Sequence, residues 1–115
     1  MCNKFELDNI LNDFIFGARK IFGEKLKDVI LFGSYARGDY DDESDVDIAI
    51  LADIPREDER NYTDRIVELV AEVDRKYCYL VLLSPIILSY NFFTQWQETV
   101  PFYSTVINEG VRLIA

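Results

Sequence analysis

Apolar residues at Phe5, Leu7, Ile10, Leu11, Phe14, Ile15, Ala18, Ile21 and Phe22 recur at steps of three and four. That is the period of a helix with one buried stripe, and it predicts an amphipathic helix ending near Gly23. A short apolar run, Asp28 to Phe32, predicts a strand that enters a Gly33-Ser34 turn and then a polar loop rich in Asp and Gly. A second strand is expected from Val46 to Leu51, followed by a turn at Ile54-Pro55. Arg56 to Lys76 reads as one long helix burying Ile66, Leu69, Val70 and Val73. Cys78 to Leu83 is almost continuously apolar, which predicts a third strand in a central or well-covered position, broken by Ser84-Pro85. A helical segment around Ser89 to Glu98 follows. The last helix starts beside Pro101 and stops at Gly110, where a left-handed cap is expected. This order predicts an α/β fold: a small mixed sheet of about three or four strands flanked by helices. No repeat, linker or low-complexity stretch interrupts it, so residues 1–115 are expected to form a single domain.

The abundance of Phe and Tyr argues for a packed core and against disorder. A formal net charge of −9 argues against nonspecific binding to DNA or RNA, which needs a cationic surface to displace counterions. It favours a basic protein partner, or a substrate whose charge is handled by a metal. Histidine is absent, which excludes imidazole ligands and imidazole bases. Cys2 and Cys78 are too few for a disulfide framework, and reduced thiols in a cytoplasm are the expectation. The first residues lack the apolar segment of a signal peptide, and runs such as Tyr79 to Leu83 are too short to span a bilayer.

Asp45 and Asp47 carry the sharpest chemistry. Alternate residues of a strand point the same way, so the two carboxylates project side by side at the mouth of a buried strand. Such neighbours repel unless a cation lies between them, and Mg²⁺ takes oxygen ligands of this kind. The alternative is a solvated strand end, since Asp39, Asp41, Asp42 and Glu43 make the preceding loop acidic as well. A calcium loop fails on detail: Ser44 stands where glycine is needed, and Ile50 where the closing Glu belongs. Gly33 and Ser34 alone would be an ordinary turn. Coupled to the acid pair, they offer backbone N–H groups and a hydroxyl to a triphosphate, and the combination reads as a metal–nucleotide site for nucleotidyl transfer. Arg37, in Gly-Ser-Tyr-Ala-Arg-Gly, has three readings of comparable weight: a surface charge, a phosphate contact, or a clasp on the acidic loop. Ser44 is assigned to nucleotide binding, with loop fixation by a backbone hydrogen bond as its alternative. Tyr35 and Tyr40 either stack on a base or pack under the loop. Phe92, Phe93, Trp96, Phe102 and Tyr103 are expected in the core, with an interface patch as the lesser reading.

Gly33-Ser34-Tyr-Ala-Arg37-Gly38 together with Ser44-Asp45-Val-Asp47 resembles the signature of the DNA polymerase beta-like nucleotidyltransferase superfamily. Chain length, element order and the ending Pro101-Phe-Tyr…Asn-Glu-Gly-Val resemble its smallest branch, the minimal nucleotidyltransferases. The resemblance implies a polymerase beta palm-like fold, ATP as substrate, and one or two Mg²⁺ ions on Asp45 and Asp47. The triphosphate would lie on Gly33 and Ser34. It also implies a HEPN-domain RNase toxin as partner, with this chain as an antitoxin that places AMP on the toxin's tyrosines. One departure stands out. Active members usually carry a third carboxylate on the next sheet strand, and Tyr77 to Leu83 contains no acid. The matching position is expected at Cys78, Tyr79 or Leu80, while Asp74 would have to reach in from a helix end. A catalytically weak or inactive module that neutralises its toxin by binding is the second expectation. Nucleotidyl transfer to a small molecule ranks third, because the chain is short for a domain that would enclose one. Polymerisation of nucleic acid ranks below that, on charge and size.

Overall fold

Asn3 starts the first helix with a capping box: its Oδ1 accepts from the Glu6 N–H at 2.8 Å, and Glu6 Oε1 accepts from the Asn3 N–H at 3.2 Å. The computed structural model describes residues 3–114. Met1, Cys2 and Ala115 lie outside the described residues, and with Cys2 the expectation for its thiol. Helix α1 (Lys4–Phe22) buries Ile10, Leu11, Phe14, Ala18 and Phe22. Strand β1 (Leu26–Phe32) leads to a short helix α2 (Ser34–Arg37), and β2 (Val46–Ala52) follows the acidic loop. A 3-10 stretch (Arg56–Tyr62) precedes α3 (Thr63–Lys76). Then come β3 (Leu83–Ser89), α4 (Tyr90–Trp96), α5 (Pro101–Glu109) and a two-residue strand β4 (Val111–Arg112).

The sheet order is β3-β2-β1-β4, with β1 antiparallel to both neighbours and β2 parallel to β3. A parallel pair needs a crossover, which α3 supplies. Val46, Ile48 and Ile50 face the core shared with α1 and α3, whereas Ala49 and Leu51 face Phe93, Tyr103 and Val106 of α4 and α5. Both central strands are therefore covered on two sides, which is why they read as unbroken apolar runs.

Four expectations need correction. The third strand is not Cys78–Leu83 but Leu83–Ser89. Residues 77–79 instead cap α3: the N–H groups of Tyr77, Cys78 and Tyr79 donate to Val73, Arg75 and Asp74 carbonyls, and Cys78 and Tyr79 adopt φ of 56° and 57°. Cys78 is accordingly exposed in a turn. Ser84-Pro85 does not break the strand, because β3 is an edge, where a missing donor is tolerated. Arg56–Lys76 is not one helix. Its first seven residues are 3-10, and there the Glu59 carboxylate accepts from the Ser89 N–H at 2.8 Å. Finally, Gly110 is extended (φ −75°, ψ 153°) rather than left-handed. A Cβ there would overlap the Val106 carbonyl and the Ile30 side chain, so glycine serves a close approach of α5 to β1.

Of the C-terminal aromatics, Phe93 and Tyr103 are buried and Phe92 is half-buried, while Trp96 and Phe102 are exposed. No helix among the described residues is long and apolar enough to cross a membrane.

Candidate functional site

The end of β1 and the start of β2 meet at one place. Phe32 pairs with Asp47 in the antiparallel register, so the next residue, Gly33, leaves the sheet beside that carboxylate. Gly33 has φ +76°, and a Cβ on it would overlap Asp47 Oδ2. Its carbonyl accepts from the N–H groups of Ala36 and Arg37 at 3.1 and 3.0 Å, which starts α2. The expected tight turn is thus a glycine followed by one helical turn, with Ser34 as its first residue.

Asp45 is exposed and Asp47 half-buried. Burial pushes the Asp47 carboxyl above its ordinary value, the charge of Asp45 pushes it further, and the Arg37 guanidinium opposes both. The charge of Asp45 is thus felt at Asp47, although Asp45 itself stands just before β2, which begins at Val46. Among the described residues no third His, Cys, Asp or Glu joins the pair. Two carboxylates backed by a backbone turn fit Mg²⁺, which commonly takes one or two protein carboxylates and completes its shell with phosphate oxygens and water.

The register of β3 corrects where the neighbouring strand meets the pair. Asp47 pairs with Ser84, not with Cys78, Tyr79 or Leu80, which lie in the turn before the strand. Nothing in the sequence marks Ser84, because Pro85 beside it reads as a strand breaker. Asp74 does not reach the pair. It is buried at the end of α3 with the Leu83 N–H facing its carboxylate, and its Oδ1 has no partner among the described residues. Burial raises its carboxyl above the usual range.

Arg37 is held by two acids: Nε donates to Asp39 at 3.2 Å and Nη1 to Glu109 at 3.1 Å. Of its three sequence readings, the clasp on the acidic loop is present. Ser44 Oγ donates to Asp41 Oδ1 at 3.1 Å and accepts from the Asp41 N–H at 3.0 Å, so it fixes the loop immediately before Asp45. Tyr35 and Tyr40 stack on each other with centroids 4.2 Å apart, and Tyr35 is buried, which is packing under the loop. A hollow of about 490 Å³ adjoins Asp45. Asp42, Glu43, Ser44, Tyr79, Leu80 and Leu82 are among the residues that line it.

Residues 17–101 match the family described as nucleotidyltransferase domain. Two proteins of Methanocaldococcus jannaschii, the candidate protein adenylyltransferases MJ0141 and MJ0604, are similar along most of their length. The first is 38% identical over 89% of this chain and 99% of its own. The second is 31% identical over 90% of this chain and 93% of its own. A crystal structure of a toxin–antitoxin MntA-HpeT mutant superposes with a TM-score of 0.53, covering 99% of this chain and 74% of that one. At 20% identity this likeness bears on the fold alone. The mixed sheet flanked by helices is the shared architecture.

Proposed function

Since the chain belongs to the nucleotidyltransferase domain family, we propose that it transfers AMP from Mg-ATP to tyrosine hydroxyls of a HEPN-domain RNase toxin and so acts as its antitoxin in the cytoplasm. The observation that carries this reading is the abutment of Gly33 and Asp47, which makes the turn and the acid pair one surface. Asp45 and Asp47 would hold the ion, whose chemistry is to neutralise charge developing on the phosphate oxygens. Gly33 and Ser34 would present backbone N–H groups and a hydroxyl to the triphosphate. In the transfer, the tyrosyl oxygen bonds to the α-phosphorus, the bond from that phosphorus to the bridging oxygen breaks, and pyrophosphate departs. The tyrosyl proton passes to solvent. Alignment and charge neutralisation do most of the work in such a reaction. The description of the archaeal relatives as candidate protein adenylyltransferases supports a protein acceptor.

A second reading, a module that neutralises its toxin by binding alone, is favoured by one observation: Ser84, not an acid, stands beside Asp47. The two readings separate in one assay. Purified chain, a candidate toxin, Mg²⁺ and ATP are incubated, and intact masses are read. Gain of an adenylyl group on toxin tyrosine, lost in Asp45→Ala/Asp47→Ala, supports transfer. Tight binding without mass gain, indifferent to those substitutions, supports the module.

A further inference from the structure

Glu109 is the last residue of α5 and lies 72 positions beyond Arg37, yet its Oε2 accepts from Arg37 Nη1 at 3.1 Å. Its place is fixed from behind. Gly110 packs so closely on β1 that a Cβ would overlap Ile30, and beyond it Val111 pairs with Leu31 while the Leu113 N–H donates to the Val29 carbonyl at 2.7 Å. The end of α5 is therefore anchored on the strand that delivers Gly33 to the acid pair. Asp39 holds Arg37 from the other side, through Nε. The guanidinium is consequently committed to two acids that belong to no metal site, although it stands near enough to Asp47 for its charge to be felt there.

An arginine on a flexible stem beside two paired carboxylates forms a bidentate ion pair with them when nothing else claims it. Such a pair would occupy the oxygens that a divalent cation needs. We propose that Glu109 is a positioning residue, which keeps Arg37 off Asp45 and Asp47 and leaves those carboxylates to the metal. The inference rests on the metal–nucleotide reading of the site. It also gives the ending Asn-Glu-Gly-Val a role, in which Gly110 docks the helix end and Glu109 tethers the arginine.

The test is the Mg²⁺ dependence of nucleotide binding, measured with a non-hydrolysable ATP analogue. In Glu109→Gln the Mg²⁺ concentration for half-maximal binding rises about three- to fivefold, the ratio that corresponds to an exposed ion pair. Saturating Mg²⁺ restores binding. In an Arg37→Ala background the same substitution changes nothing. An unchanged Mg²⁺ dependence in Glu109→Gln, or a shift that persists without Arg37, overturns the inference. The Arg37 Nη–H signals in NMR read the tether without any ligand, since Nη1 is the donor to Glu109. Slow guanidinium rotation is expected in the native chain and fast rotation in Glu109→Gln, and equal rotation in both overturns the tether. Failure of the native chain to bind the analogue at any Mg²⁺ concentration defeats the proposed function instead, and leaves the NMR comparison to decide Glu109.

Discussion

Gly33 and the Asp47 carboxylate occupy adjoining space so tightly that a single methyl group on the glycine would overlap the acid. The contact follows from the register, which pairs Phe32 with Asp47 and makes the next residue turn out of the sheet at φ +76°. Neither the backbone angle nor the space admits a side chain.

Gly33→Ala is therefore expected to destabilise the fold by about 1–3 kcal/mol, from the left-handed backbone alone. It also displaces Asp47. Chemical denaturation reads the first effect. Loss of nucleotide-dependent thermal stabilisation, with Ser34→Ala retaining the fold, reads the second.

Asp74 predicts a pH dependence of stability. Its carboxyl is raised by burial in the folded state, so the folded chain holds that proton more firmly than the unfolded one. The stabilising share is full below the ordinary carboxylate value and is lost as pH rises through the folded-state value. Asp74→Asn removes this loss while keeping an acceptor for the Leu83 N–H. The variant should match the native chain near about pH 4, where the ordinary carboxylate titrates, and melt at higher temperature at neutral pH. Parallel melting curves across that range check it, and a constant difference would count against it.

Asp28 is fully buried on β1 and is held by Arg112 of β4, whose Nε donates to it at 2.5 Å. Arg112→Met leaves a buried carboxylate with, among the described residues, only its own neighbour's N–H, from Val29. A cost of about 1–3 kcal/mol in urea unfolding is expected. The double variant Asp28→Leu/Arg112→Met should recover most of it, because a buried charge without a partner costs more than an apolar replacement.

Much of this is legible in the residues, for identifiable reasons. The period of α1 and the two covered strands are local patterns, and each is present. Asp45 stands one residue before β2, outside the strand alternation expected to set it beside Asp47. The third strand lies later than its pattern suggests because Tyr77 to Leu83 is as apolar as a strand. What uses the first of those residues is the capping of α3, a backbone need that hydrophobicity does not express. Pro85 misleads in the same way, since its tolerance depends on β3 being an edge. The Arg37–Glu109 pair is invisible in the sequence because nothing relates residues 72 apart until α5 is docked by Gly110.

The corrected register makes Ser84 the position to alter. Ser84→Asp places a third carboxylate beside Asp47. If a missing base limits transfer, the rate should rise by about a hundredfold or more, the range of general-base effects. Without Mg²⁺ the added like charge should lower the melting temperature. Initial rates of adenylyl transfer and melting curves with and without Mg²⁺ check both.

Calorimetric titration of the chain with a non-hydrolysable ATP analogue, in the presence and absence of Mg²⁺, asks whether two aspartates and a glycine turn form a working nucleotide site. Saturable one-to-one binding that requires Mg²⁺ and vanishes in Asp45→Asn/Asp47→Asn is the predicted result. Binding that survives without the ion or without both carboxylates, or no binding by the native chain, would contradict it.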